Sequence, residues 1–143
     1  DLKAHDWRHQ IPPTHGIISS LAVHHLDDSE KAELFGAVFS MLVPGGIFLV
    51  ADIVQPTTEA GISYAARQWD TSVRASVQRA DEKRTIYEQF VRQRWNHYLY
   101  PDPEDKPSSL LDQLLWLRET GFVQVDVYWM KAGHVIFGAL RPV

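Results

Sequence analysis

The chain has 143 residues, of which 45% are hydrophobic and 11% aromatic, so it is long enough to form one domain with a packed core. Its net charge of −4 and pI near 5.9 argue against a general nucleic-acid binder, since such proteins usually carry a basic surplus. It contains no cysteine, which excludes disulfides and thiolate metal sites within these residues.

The composition also bears on the compartment and on the partners of the protein. No apolar run approaches the roughly 20 residues of a membrane span, and the lack of cysteine fits a reducing compartment. We therefore expect a cytoplasmic protein with no membrane partner. A nucleic-acid partner is disfavoured by the charge, although recognition of one RNA in a local basic cleft stays open.

The first third of the chain predicts a strand, a helix and a second strand. The apolar, β-branched run Ile17–Val23 is typical of a strand that is covered on both faces, as in a parallel sheet. Asp27 and Glu30 have the spacing of a capping box and predict the start of the helix. Ile47–Val54 is the next buried strand, and the helical crossover implies that the two strands are parallel.

The helix between these strands has one apolar face and a clear end. Pro44 disfavours helix at the preceding residue, and Gly45-Gly46 allows the chain to turn back towards the sheet. The residues of the apolar face are Leu34, Phe35, Val38, Met41 and Leu42.

Residues 55–107 have a different character, rich in Arg, Gln, Glu, Trp and Tyr. Helical stretches are predicted at Ile62–Arg79 and Glu82–Tyr98, and the proline-rich run Tyr100–Pro107 predicts a surface loop. The aromatic residues of this segment are either core residues or a stacking surface for a flat substrate, and both alternatives stay open.

The last third predicts a helix followed by an antiparallel hairpin. Ser108 or Ser109 begins the helix and Gly121 ends it as a left-handed cap. Strands are predicted at Phe122–Met130 and His134–Leu140, joined by a tight turn. The expected inner face of the helix consists of Leu110, Leu111, Leu114 and Leu115.

Two motifs in this order closely resemble the middle of a class I S-adenosylmethionine-dependent methyltransferase. They are His24-His25-Leu26 after the first strand and Leu42-Val43-Pro44-Gly45-Gly46 before the second. The resemblance implies an α/β fold with part of a Rossmann-like methyltransferase sheet, namely strands four to seven with the last strand antiparallel, and helices on the faces. Residues 1–143 would be the C-terminal part of a single methyltransferase domain, in which residues 55–107 form a variable helical segment that covers the substrate.

The resemblance also implies a cofactor and residues that bind it. S-adenosyl-L-methionine would contact Asp6 and Trp7 through its adenine, and Ser20 and Leu21 through its ribose and methionine parts. The glycine-rich cofactor loop of the family lies upstream of these positions, and no Gly-x-Gly-x-x-Gly occurs in the chain. We therefore expect a fragment of a longer enzyme that is inactive by itself.

The adjacent histidines His24 and His25 are the candidate catalytic residues. A neutral imidazole can take a proton from the attacking group of the methyl acceptor, and the alternative is that either ring only holds the loop. We predict no metal site, because adjacent residues rarely chelate one ion and no carboxylate has a suitable spacing. Asp52 faces either the substrate pocket or the amides of a loop.

The predicted reaction is transfer of a methyl group to a small molecule or to a nucleic-acid base. Two alternatives stay open, namely a fragment of another nucleotide-binding α/β enzyme such as a dehydrogenase, and a non-catalytic interaction module with a methyltransferase-like sheet. In each case the run Ile17–Val23 should leave an open apolar strand edge, through which the chain is expected to associate with itself.

Overall fold

A four-stranded mixed sheet organises the computed structural model, which describes residues 2–4, 6–77 and 83–143. The strand order is β1-β2-β4-β3, with β1 parallel to β2 and β4 antiparallel to both of its neighbours. The strands are β1 (Thr14–Ser20), β2 (Leu42–Ile53), β3 (Val123–Lys131) and β4 (His134–Leu140). The helices are α1 (Asp28–Met41), α2 (Glu59–Val77), α3 (Lys83–Arg92) and α4 (Leu110–Thr120). The predicted α/β class, the parallel pair and the reversed last strand are confirmed.

Helix α1 begins with the predicted capping box. Asp27 Oδ1 accepts a hydrogen bond of 2.9 Å from the Glu30 amide, and Glu30 Oε2 accepts one of 2.8 Å from the Asp27 amide. These backbone hydrogen bonds lower the pKa of both carboxyl groups. All five residues of the predicted apolar face are buried in the main core, namely Leu34, Phe35, Val38, Met41 and Leu42.

The Pro-Gly-Gly sequence lies inside β2, which begins at Leu42 rather than at the predicted Ile47, and the pairing with β1 is irregular there. Thr14 pairs with Leu42 but Gly16 pairs with Ile47, so the register of the parallel pair shifts around the two glycines. Gly45 has φ +77°, which favours glycine. The helix therefore ends at Met41, before the motif, and the two glycines shift the register of β2 against β1 instead of forming the predicted turn between helix and strand.

The first strand lies three residues earlier than predicted. It ends at Ser20, and Val23–His25 forms a 3-10 turn. Leu21 has φ +48°, which breaks the extended conformation between them. The expectation of a strand covered on both faces is also wrong, because Ile18 is 74% exposed.

Helix α4 has the predicted ends but a rotated inner face. The Ser109 side chain caps its start, and Gly121 ends it with φ +106°. Leu111 and Leu115 are exposed, whereas Leu117 is completely buried. The face turned towards the core consists of Leu110, Gln113, Leu114 and Leu117. Half of the predicted face is therefore wrong, since a run of leucines leaves the phase of a helix undetermined.

The segment between β2 and α4 contains the predicted helices with shifted ends. Helix α2 ends at Val77, and residues 78–82, where one predicted helix ends and the next begins, lie outside the described residues. Helix α3 ends at Arg92 rather than Tyr98, and Arg94 has φ +56°. Residues 101–109 form neither helix nor strand, which confirms the predicted loop.

The aromatic residues of this segment divide between core and surface. Tyr98 is buried, and its hydroxyl lies 2.7 Å from the Val54 carbonyl oxygen and 3.1 Å from that of Gly133. Burial raises the pKa of this phenol. Tyr64 and Trp95 are exposed, so they are available for contact with another molecule.

The closing hairpin agrees with the sequence within one residue. Strand β4 has the predicted bounds, and β3 is shifted by one position from Phe122–Met130. The pairing between β3 and β4 is irregular, with register shifts between Val123 and Asp126 and between Val127 and Trp129. Within the described ranges, no helix combines the length and the apolar character that crossing a membrane requires.

Strand β1 lies at an edge of the sheet, with a strand neighbour on one side only among the described residues. Ile18 and Leu21, 74% and 57% exposed, lie on or next to this edge. We propose that the isolated chain associates with itself here, and we expect Ile18→Lys to lower its apparent mass in light scattering. Leu111→Lys, a matched change on an exposed face of α4, should not lower it. A wild-type chain that is a monodisperse monomer contradicts the proposal.

Candidate functional site

A buried carboxylate organises the turn that follows β1. Asp52, near the end of β2, is only 3% exposed. Its Oδ2 accepts hydrogen bonds from three consecutive amides, those of Ala22 (3.3 Å), Val23 (2.8 Å) and His24 (3.2 Å). Its Oδ1 accepts one from the Ile53 amide at 2.8 Å. Of the two roles that the sequence left open, Asp52 therefore binds loop amides, and in doing so it ends β1 at Ser20.

The same carboxylate fixes the ring of His24. His24 is 8% exposed, and its Nδ1 lies 2.5 Å from Asp52 Oδ1. Because an ionised carboxylate only accepts hydrogen bonds, Nδ1 is the protonated nitrogen of this pair. In the neutral ring, Nε2 then carries a lone pair and is directed away from Asp52.

The loop that follows α3 brings a second carboxylate to the other side of this ring. Asp105 Oδ1 lies 3.4 Å from His24 Nε2 and 3.2 Å from His25 Nδ1. Its other oxygen, Oδ2, lies 3.2 Å from His97 Nδ1. Three histidines from two segments of the chain therefore surround one carboxylate, and we call His24, His25, His97, Asp52 and Asp105 the histidine cluster.

Three hydrogen bonds hold the Asp105 loop against the turn. The Lys106 amide donates to the His24 carbonyl oxygen at 2.7 Å. The Lys31 ammonium group donates to the carbonyl oxygens of Leu26 and Lys106, each at 2.5 Å. Burial lowers the pKa of Lys31, although nearby carboxylates, led by that of Asp28, oppose the shift. The position of Asp105 is thus set by main-chain contacts and by one buried cation.

The two adjacent histidines have different environments. His25 follows His24 in the 3-10 turn, yet its side chain is 53% exposed, against 9% for His24. Among the described residues, the contact with Asp52 belongs to His24 rather than to His25. The two rings of the predicted catalytic pair therefore differ: His24 is buried and held by Asp52, whereas His25 is exposed.

The predicted cofactor residues lie on two separate turns. Asp6 is exposed, and Trp7 follows it in the 3-10 helix Asp6–Gln10, with its ring packed on the main core. The buried Trp7 Nε1 has no hydrogen-bond partner among the described residues. Ser20 and Leu21 are exposed at the carboxyl end of β1, directly before the turn that carries His24.

Sequence reasoning missed Asp105, His97 and Lys31 as members of this site. Asp105 belongs to the proline-rich segment that was predicted only as a surface loop, and Lys31 reads as an ordinary polar residue of an amphipathic helix. His97 was grouped with the aromatic residues of the covering segment. Neither spacing nor periodicity connects these positions with His24, so only the folded chain reveals the cluster.

Comparisons with known proteins give structural relatives but no sequence relatives: no protein-family model and no curated protein matches the chain. The S-adenosylmethionine-dependent methyltransferase SibL, solved in its apo form, has a TM-score of 0.62 at 17% identity, covering 100% of this chain and 34% of that one. Human N-acetylserotonin methyltransferase in complex with SAM has a TM-score of 0.56 at 13% identity, covering 100% and 32%. An O-methyltransferase family 2 protein from Planctomyces limnophilus, in complex with apigenin, has 0.56 at 17%, covering 99% and 33%.

At these identities the comparisons establish the fold alone. The chain spans about a third of the length of these structures. Nearly all of its residues superpose on each of them, including the parallel pair and the reversed hairpin described above. The chain has the fold of the C-terminal part of a class I S-adenosylmethionine-dependent methyltransferase, as its motifs predicted.

Proposed function

We propose that the chain is part of an enzyme that transfers a methyl group from S-adenosylmethionine to a hydroxyl group of a small molecule. The observation that carries this proposal is the buried His24–Asp52 pair, which follows the carboxyl ends of two parallel strands. Ligands of open α/β sheets bind outside those ends. The choice of oxygen as acceptor is supported by the structural relative from Planctomyces limnophilus, which is described as an O-methyltransferase family 2 protein.

In the proposed reaction His24 accepts the proton that the acceptor hydroxyl loses. The proton would move to Nε2 as the hydroxyl oxygen forms its bond to the methyl carbon and the bond from that carbon to sulfur breaks, with its electron pair left on the departing sulfur. The product oxygen then never has to carry a positive charge. Asp52 holds the opposite nitrogen as the donor and stabilises the imidazolium that forms. The bound cofactor supplies a methyl group activated by a sulfonium charge.

The predicted cofactor residues fit this ligand in their chemistry. Asp6 offers an exposed carboxylate to an exocyclic amino group, and Trp7 offers a flat apolar ring. Ser20 and Leu21 lie at the strand end where the ribose and methionine parts would bind. We propose that these residues bind S-adenosylmethionine, with residues 1–143 as the C-terminal part of a single domain and residues 55–107 covering the substrate. A cytoplasmic location and a small-molecule partner, rather than a nucleic acid or a membrane, stay predictions.

We expect His24→Gln to lower the rate of methyl transfer by about 10²–10⁴-fold, because the general base is lost. The rate is measured with radiolabelled S-adenosylmethionine on the longest reading frame that contains this chain. His25→Gln should cause a much smaller loss, since its ring lacks the buried Asp52 partner. His15→Gln, an exposed histidine of β1, should change nothing. Equal losses in His24→Gln and His15→Gln would refute the role of His24.

Calorimetry with S-adenosylhomocysteine separates the proposed function from its rivals. An enzyme of this kind should bind it, and Asp6→Ala and Ser20→Val should weaken the binding. Binding without methyl transfer to any hydroxylated acceptor would point to another acceptor atom. An absence of binding in the longest reading frame would favour a non-catalytic module or an enzyme of another nucleotide.

A further inference from the structure

We propose that His24, His25 and Asp105 form a three-ligand site for Zn²⁺ or a similar divalent transition-metal ion. Each residue offers one ligand atom, and these atoms all lie within 4.8 Å of one another. Two imidazoles and a carboxylate are a ligand set that zinc uses at sites where a fourth position stays open.

Two of the three separations between the ligand atoms are close to those of tetrahedral coordination. Bonds of about 2.0–2.2 Å from zinc to nitrogen or oxygen place neighbouring ligand atoms roughly 3.3–3.6 Å apart. Asp105 Oδ1 lies 3.4 Å from His24 Nε2 and 3.2 Å from His25 Nδ1. All three ligand atoms lie within 4.8 Å of one another, so one ion can lie at bonding distance from each of them.

The protonation of His24 favours a cation at this point. With its Nδ1–H donated to Asp52, the neutral ring directs a lone pair at the Asp105 carboxylate, so two acceptors face each other. A metal ion between them turns this repulsive contact into two bonds. A histidine that binds zinc through one ring nitrogen usually donates a hydrogen bond from its other ring nitrogen to a carboxylate.

A second buried group is directed at the same carboxylate. His97 is 8% exposed, and its Nδ1 has no hydrogen-bond partner among the described residues although it lies 3.2 Å from Asp105 Oδ2. A small rotation of the Asp105 carboxylate towards an ion on the Oδ1 side would let His97 donate to Oδ2. His97 would then support Asp105 as Asp52 supports His24.

Adjacent histidines rarely bind the same ion, but the conformation of the turn Val23–His25 lets His24 and His25 do so. His24 and His25 lie in a 3-10 turn, with ring centroids 4.0 Å apart. His24 presents Nε2, the ring nitrogen farther from its backbone, and His25 presents Nδ1, the nearer one. Both nitrogens can therefore approach Asp105 Oδ1 although the two residues are adjacent. The carboxylate comes from a position 80 residues further along the chain, beyond the reach of any spacing rule.

A metal ion at this site would compete with proton transfer. It would occupy the Nε2 lone pair of His24, so zinc would inhibit methyl transfer. This consequence rests on the proposed function, whereas the binding of the ion does not.

The test is isothermal titration of the chain with ZnCl₂ after dialysis against a chelator, with no methyl donor present. We expect one equivalent to bind, and His25→Gln and Asp105→Asn each to weaken binding at least tenfold. His15→Gln, an exposed histidine outside the cluster, should bind zinc as the wild type does. Co²⁺ in place of Zn²⁺ should give the visible absorption of a four-coordinate site, lost in His25→Gln. Circular dichroism of each variant confirms that its fold is retained.

Three results would overturn the site. The first is a wild-type chain that binds no zinc. The second is zinc affinity that His25→Gln leaves unchanged, and the third is affinity that falls equally in His15→Gln. Because binding is read directly, a failure of the proposed methyl transfer would leave this result intact, and the reverse also holds.

Discussion

We expect Gly138→Ala to lower the free energy of unfolding by about 4 kcal/mol or more, and to leave the chain largely unfolded. Gly138 lies in β4, opposite Leu49 of β2 and Asp126 of β3. A Cβ atom built here would lie 2.2 Å from the Phe48 carbonyl oxygen and 3.2 Å from the Leu49 Cα atom. Both obstacles are backbone atoms of the central pair of strands, so they cannot move aside without breaking that pairing.

Gly36→Ala is the matched control, and we expect the opposite sign. Gly36 lies inside α1, and a Cβ atom there would meet nothing within 4 Å. Alanine in place of a helical glycine should stabilise the chain by about 0.5–1 kcal/mol. Urea unfolding followed by circular dichroism measures both variants. If Gly138→Ala were as stable as the wild type, the register between β2 and β4 described here would be wrong.

The elements that the sequence predicted well are those with local signals. The capping box at Asp27 and Glu30 sets the start of α1 by two hydrogen bonds within four residues. Gly121 ends α4 because a left-handed conformation is favourable for glycine wherever it occurs. Such signals depend on neighbours along the chain, so they can be read without knowing the fold.

The elements that the sequence misplaced are those decided by distant partners. The run Ile17–Val23 has the composition of a strand, yet β1 ends at Ser20 because Asp52, from the adjacent strand, binds the amides of the following turn. The leucines of α4 lie on more than one side of the helix, so the sequence alone does not show which of them face the core. Packing against α1 decides which are buried. Hydrogen bonds between a side chain and backbone groups that are distant in the sequence produce no periodic pattern in the sequence.

The candidate site also combines a residue with a local sequence signal and residues that only the fold brings together. His24 stands out in the sequence because of its motif, while its partners Asp52 and Asp105 come from segments 28 and 81 residues away. The sequence could therefore name the histidine pair but not decide between its two rings. That decision depends on which ring meets the buried carboxylate, a matter of tertiary structure alone.

We expect Asp52→Ala to lower the free energy of unfolding by about 3–5 kcal/mol, the usual cost of removing one partner from a buried charged network. The change would leave the amides of Ala22, Val23 and His24 without their shared acceptor, and the His24 ring without its support. The loss should appear both in urea unfolding and in nitrogen NMR, as a change in which nitrogen of His24 carries the proton.

Two further variants separate the charge of Asp52 from its geometry. In Asp52→Asn the amide oxygen can accept hydrogen bonds on one side only, while its NH₂ group must face donors on the other, so we expect about half the destabilisation. Asp126→Ala removes an exposed carboxylate that accepts a hydrogen bond from the amide of the next residue, and it should change stability by less than about 1 kcal/mol. If Asp52→Ala were no worse than Asp126→Ala, the carboxylate would not organise the turn. His24 would then have no fixed proton-accepting nitrogen, and both the proposed base and the proposed metal ligand would lose their physical basis.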